Sequence, residues 1–312
     1  MTGFLTCWDG SEYQLPQLYE WRLCYGLGSP CDSFEVCALW DGVRADLLAQ
    51  FTRFRGVWKD QTVFTGVVDE CESCRDGNGT RLMIRGRGMA ALLLDNEAVG
   101  ADYQVATLDD ILRDHVTPYG ITVGERGTFP AVSPFSVDTG SSEWQVVERF
   151  ARCYGGISPR FDRMGRLILS PLPQSGGYTL GADTAVTSLT LREQRYGRYS
   201  QIFVRDTAGK ATQTVQDADF TARGGQSRKV LTMPNKTGYE AMRYSARYQL
   251  ERSAEEARRL EVSLTELFPA WPGELVTVSD QWPGCGGRWS VREMECSWNE
   301  EGASSTLVLG TP

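Results

Sequence analysis

Two β-hairpins of one pattern stand near opposite ends of this chain, and they constrain its fold more than any other feature. Residues 62–95 read TVFTGVVDECESCRDGNGTRLMIRGRGMAALLLD. The Val, Thr and Phe residues up to Glu70 suit a strand, and Arg75-Asp76-Gly77-Asn78-Gly79 is dense in turn formers. Arg81 to Ile84 resumes as a strand, so the unit predicts a hairpin with a longish loop. Residues 289–309, WSVREMECSWNEEGASSTLVL, look alike. Setting Cys71 on Cys296, an offset of 225, brings Phe64 onto Trp289, Gly77 onto Gly302 and Leu82 onto Leu307 without a gap. Any two hairpins with equal loops would match this way; a true repeat would mean related β-domains at the two ends.

A chain of 312 residues can hold two or three domains with cores of normal size. The 41% hydrophobic and 23% charged content is that of a globular protein. A net charge of −8 disfavours a general binder of nucleic acid or other polyanions. The absence of a run of 18 apolar residues predicts no membrane span, and the opening MTGFLTCWDGSEYQ does not have the basic flank and apolar stretch of a signal peptide. Synthesis and assembly in the cytosol are therefore expected, with the nine cysteines reduced.

Between the hairpins the pattern changes. Thr107 and Asp110 predict a capped helix whose apolar face is Leu108, Ile111, Leu112 and Val116. Ser142 and Gln145 predict a second, burying Trp144, Val147, Phe150 and Ala151 and ending at Gly155-Gly156. A short hairpin follows around Asp162-Arg163-Met164-Gly165. Gln201 to Arg205 reads as a strand and residues 217–226 as a polar loop. The longest helix is expected over 237–260, capped by Thr237 and Glu240, with an ion pair from Glu255 to Arg259.

Reactive chemistry is sparse. Cys71-x-x-Cys74 has metal-like spacing, but no second pair completes a zinc site. His115 is the only histidine and is expected to cap a helix end or face solvent, which argues against a Ser-His-Asp or Cys-His centre. Asp109-Asp110 and Glu255-Glu256 are neighbours on helices, so their side chains diverge. Gly86-Arg87-Gly88 lacks the third glycine of a dinucleotide loop and reads as a sharp strand-to-helix turn. No catalytic, cofactor-binding or metal-binding residue is assigned.

Residues Gly86, Arg87, Leu92, Leu93, Leu94 and Asp95, following the Gly-rich hairpin, resemble a segment of bacteriophage tail baseplate hub proteins. These are the Mu-like hub and late-control protein D types, with the related hubs of contractile injection systems. The two capped helices, the hairpin with Gly165, the Ala- and Arg-rich helix at 240–260 and Pro272-Gly273 before a strand follow in the same order. The wealth of Cys and Trp departs from the pattern. The resemblance implies a mainly β, α+β fold: a tail-tube-like β-barrel domain over 1–95, a small α/β domain over 96–178, and a second barrel over 179–312. It implies no enzymatic activity and no cofactor. It further implies a homotrimer in the virion tail baseplate, assembled in the host cytoplasm, whose six barrels adapt a sixfold tail tube to a threefold spike. Expected partners are the tail tube or distal tail protein, the spike and a tape-measure protein, with no specific nucleic acid. A tail-associated wall hydrolase using two carboxylates and a carbohydrate-binding module using exposed Trp are the competing readings.

Overall fold

A computed structural model describes residues 1–27, 30–40, 45–77, 79–173, 177–209, 211–233 and 238–311. The chain is mainly β. Strands β1 (Thr2–Cys7), β2 (Glu12–Gln14), β3 (Leu18–Gly26), β4 (Ser33–Leu39), β5 (Phe51–Trp58), β6 (Gln61–Asp76) and β7 (Gly79–Gly88) form a first lobe in the order β3-β4-β7-β6-β5-β1-β2. Alternation sets its core: Phe34, Val36 and Ala38 of β4 point inward with Leu82 and Ile84 of β7, all buried.

An α/β unit comes next, made of α1 (Ala91–Leu94), β8 (Ala101–Tyr103), α2 (Leu108–His115), β9 (Val123–Arg126), β10 (Phe135–Val137), α3 (Glu143–Phe150), β11 (Arg160–Phe161) and β12 (Leu167–Leu169). Both expected capping boxes are present, Thr107 with Asp110 and Ser142 with Gln145. Trp144, Val147, Phe150 and Ala151 are buried as expected, in a core of this unit's own.

The chain then returns through β13 (Tyr178–Leu180) and β14 (Val186–Glu193) and leaves again. Strands β15 (Gln201–Asp206), β16 (Thr212–Gln216) and β17 (Arg228–Met233) make a separate three-stranded sheet. Helix α4 (Ala218–Ala222) forms where a loop was expected, because Asp217 caps it by accepting from the Phe220 amide. Helix α5 (Tyr239–Ala257) packs on that sheet through Met242, Ala246 and Leu250 against Ile202 and Val204. It is shorter than the expected 237–260. Its N-cap is Gly238, while Thr237 lies outside the described residues. Arg258 already belongs to a strand, which breaks the helical spacing needed by the expected Glu255–Arg259 pair; Glu255 meets Arg292 at 3.1 Å instead. Among the described residues, no helix is long and apolar enough to cross a membrane.

Strands β18 (Arg258–Leu264), β19 (Leu275–Val278), β20 (Gly287–Asn299) and β21 (Gly302–Gly310) complete a second lobe in the order β14-β18-β21-β20-β19-β13. This repeats the path β3-β4-β7-β6-β5-β1 of the first lobe, with two differences: β2 has no counterpart among the described residues, and β13 runs parallel to β19 where β1 runs antiparallel to β5. The turns and bulges fix the register. Asp76 pairs with Gly79 and Asn299 with Gly302; β6 bulges between Val68 and Glu70, β20 between Val291 and Glu293. Corresponding residues are thus 223 apart, not the 225 read from sequence. The strand pairing also continues to Asp76 and Gly79, further than the expected longish loop allows. An error of two leaves the inward and outward faces unchanged, which is why the offset of 225 matched without a gap.

The repeat is weak in sequence because volume is redistributed across each layer. Phe34 faces Gly86 in the first lobe, and Leu260 faces Leu309 in the second. Phe54 faces Gly66, and Val276 faces Trp289. The glycines make room for stacked rings, with Phe34 and Phe54 centroids 4.3 Å apart. Gly86 lies inside β7, not in the expected sharp turn; a Cβ there would come 2.0 Å from the Val67 carbonyl oxygen and 2.5 Å from the Phe34 ring. Gly86→Ala is therefore expected to destabilise the protein by roughly 3 kcal/mol through overpacking, measured by urea denaturation; a change under ~0.5 kcal/mol would contradict the packing described.

Candidate functional site

The distinctive local structure is the seam between the lobes. Strand β20 has 13 residues and outruns β19, its partner on one side. Residues 287–290 pair with β19, and 293–298 pair with β3 of the first lobe. The two lobes thus share one continuous sheet and one hydrophobic core. Across the seam Met294 faces Tyr25, Cys296 faces Leu23 and Trp298 faces Trp21. Met294, Tyr25, Cys296, Leu23 and Trp21 are buried, while Trp298 stays 44% exposed. Burial pushes the Cys296 thiol up to about 12, so it packs as a neutral apolar group. On the opposite face Arg22 donates to Glu295 at 2.7 Å.

The bulges next to the seam aim side chains at the inserted units. At the second-lobe bulge, Arg292 meets Glu255 of α5 at 3.1 Å and donates to the Thr311 carbonyl at 2.7 Å. At the corresponding first-lobe bulge, Asp69 accepts from the Arg87 Nε at 2.7 Å, and Arg87 also bonds Asp95 at 2.7 Å. The Arg and Asp of the sequence motif are therefore partners. They fasten the α/β unit to the first lobe, with Leu93 buried between them in sequence. The Arg87 guanidinium lowers the Asp95 carboxyl below its usual value of 3.8.

A cleft of about 400 Å³ lies where lobes and α/β unit meet, lined by Asp32, Arg160, Arg163, Trp271 and Glu274 among others. Burial pushes the Asp32 carboxyl up to about 7, although it accepts from the Gly26 amide at 3.1 Å. Arg160 is spent on the Ser170 carbonyl at 2.6 Å, and Arg163 lies over the Trp271 ring at 5.4 Å.

The remaining sequence candidates separate. Cys71 and Cys74 lie on one strand three residues apart, so they face opposite sides of the sheet. Among the described residues, no group of three His, Cys, Asp or Glu could hold a metal ion. Asp109 pairs with Arg126 at 2.6 Å, Asp110 belongs to its capping box, and Glu256 pairs with Arg252 at 3.3 Å. Trp8 and Trp298 are the tryptophans with large exposure, at 74% and 44%.

His115 departs from expectation. It is buried, 4% exposed, with Nδ1 at 2.6 Å from Glu143 Oε2 and Nε2 at 3.1 Å from the Tyr103 hydroxyl. Glu143 is buried too and accepts from the Tyr119 hydroxyl at 2.9 Å. The helical reading put His115 at the end of α2, but α3 packs over that end and encloses it. This network ties α2 to α3 and satisfies polar groups inside an apolar core.

Comparison with known proteins bears on all of this. No family model matches the chain. It is 25% identical over 207 residues to the baseplate hub protein gp44 of Escherichia phage Mu, covering 64% of this chain. It resembles the Mu-like baseplate hub proteins. The match spans 54% of the Mu protein, about half its length. A tail protein from Neisseria meningitidis has the same fold, with a TM-score of 0.80 at 18% identity over 99% of this chain and 96% of its own. So does the 43 kDa tail protein of prophage MuSo2 from Shewanella oneidensis, with a TM-score of 0.78 at 18% identity over 100% and 98%. The mainly β fold expected from the hub resemblance is thus the fold of known tail proteins.

Two outcomes test the local geometry. His115→Ala leaves the Glu143 carboxylate buried without its main partner and should cost about 3 kcal/mol in chemical denaturation, with His115→Gln recovering part of the loss. Arg87→Ala should cost roughly 0.5–1 kcal/mol, since all three groups of its cluster are at least one-third exposed. The Asp95 share of that difference is present above about pH 4 and fades as acid protonates the carboxylate. Equal losses at pH 7 and pH 3 would mean that Arg87 acts by packing alone.

Proposed function

We propose that this protein is a structural, non-enzymatic baseplate hub of a phage tail or phage-like particle. Its two lobes act as two tail-tube-like β-barrel units. The α/β unit and the β15–β17 sheet with α5 are appendages on that pair. Three copies form a ring of six similar lobes. One face of the ring meets a sixfold tail tube or distal tail protein, the other a threefold spike, and a tape-measure protein contacts the assembly. The similarity to the Mu hub supports residence in the virion baseplate, with assembly in the host cytoplasm.

The observation that carries this reading is the internal repeat, with its lobes joined edge to edge by β3 and β20. Two similar units in one chain let three chains present six similar surfaces, which a single-lobed trimer does not. The net charge of −8 suits a passage through which DNA slides without binding. A threefold multiple of 34.7 kDa is expected by light scattering. A protein that stays monomeric and also fails to co-assemble with its tube and spike proteins would overturn the proposal.

A further inference from the structure

The repeat makes a specific demand on two strand edges. In the second lobe, the part of β20 beyond its bulge is paired on both sides, by β21 and by β3. Its counterpart in the first lobe is the part of β6 beyond its bulge. Pairing of β6 with β5 stops at Val67, and among the described residues, 70–75 form a ladder with β7 alone. The counterpart of β3 is β14, because Trp21 and Leu23 face Val36 and Phe34 as Leu189 and Leu191 face Val262 and Leu260. The sheet ends at β14. Among the described residues, each lobe therefore has one edge paired inside the chain, and one equivalent edge left open.

We propose that residues 70–75 of β6 pair antiparallel with residues 189–194 of a second copy of this chain, in the register that β20 and β3 use internally. This deepens the hub reading and rests on it: the pairing is the joint by which copies close a ring. Transferring the register places Ser73 opposite Leu191, Cys74 opposite Thr190 and Glu72 opposite Arg192. Burial and charge both fit. Trp21 and Leu23, covered by the internal seam, are 5% and 1% exposed, whereas Leu189 and Leu191 are only partly buried. Ser73 and the Arg75 stem would cover them. On the outward face, Glu35, Glu70 and Glu72 crowd one guanidinium, Arg85, at 3.1, 3.3 and 3.6 Å. That edge has an excess of negative charge. Arg192 is exposed on β14 and arrives directly opposite Glu72, at the place Cys24 holds opposite Glu295 in the internal seam, where Arg22 reaches Glu295 diagonally from two residues away. The contact is head-to-tail, so it builds a ring where the rotation closes.

The test is a disulfide. Directly opposed residues of antiparallel strands have Cα atoms roughly 4.5–5.5 Å apart, within disulfide range. Cys74 is the exposed cysteine among the nine. In the full chain, Thr190→Cys should cross-link to Cys74 of a neighbour on mild oxidation and give a covalent three-chain species on a non-reducing gel. Adding Cys74→Ser should abolish it. Glu72→Arg should weaken assembly roughly fivefold, and Glu72→Arg with Arg192→Glu should restore it. A non-covalent trimer that gives no cross-link would overturn this pairing and leave the hub reading standing. A cross-linked ladder running past three would uphold the pairing and overturn the closed ring. A monomer that gives no cross-link at any concentration, alone or with its tube and spike proteins, would overturn both the pairing and the hub reading.

Discussion

Everything larger in this molecule depends on β20 having two partners in succession. A strand that outruns its neighbour leaves unpaired amides and carbonyls, and those groups must be satisfied. Here the surplus half of β20 is satisfied by β3, more than 260 residues earlier in the chain, as with Cys296 opposite Leu23. The backbone ladder then holds the lobes at a fixed spacing while Met294, Tyr25, Leu23 and Cys296 fill the layer beneath it. Lost at this joint, the apolar core would be cut in two and its inner faces would meet water.

The bulge is what lets one strand serve two sheets. An extra residue bends the strand, sharpens its twist and redirects one side chain. In both lobes that redirected residue is charged, Asp69 in one and Arg292 in the other, and each holds a different insertion through a counter-charge. The α/β unit follows β7, and the small sheet with α5 interrupts the step from β14 to β18. The corresponding step from β3 to β4 takes only residues 27–32. The two lobes are thus one architecture elaborated in two places, at positions where added chain disturbs no ladder.

Local rules were the legible part of the sequence. Capping residues, apolar helical stripes and hairpin alternation are short-range signals, and Thr107, Ser142 and the two terminal hairpins were all readable. The motif Gly86-Arg87 to Asp95 was readable as a resemblance, but its chemistry was not. Gly86 is glycine because of the Phe34 ring, and Arg87 is there for Asp69 and Asp95; each reason lies across a strand pairing. The burial of His115 was invisible for the same cause, since α3 supplies both its lid and its Glu143 partner. The insertion of residues 201–257 left no mark either. Its strands alternate like those of the lobes, and only long-range packing separates them.

The contrast between the internal seam and the open edges is itself informative. Within the seam the inward pairs are large and apolar. On the open edges the same positions carry Ser73 and Arg75, with Glu70 and Glu72 on the outer face. An edge that must stay soluble before assembly gains from charge, because charge discourages indiscriminate strand addition. An edge paired from the moment of folding needs no such protection and can be dry. In the proposed pairing, chemistry of opposite sign on β14, through Arg192, would turn the same charges from a deterrent into a selector of the right neighbour. The two joints would then share a geometry yet differ in strength, with the apolar one made during folding and the charged one made during assembly.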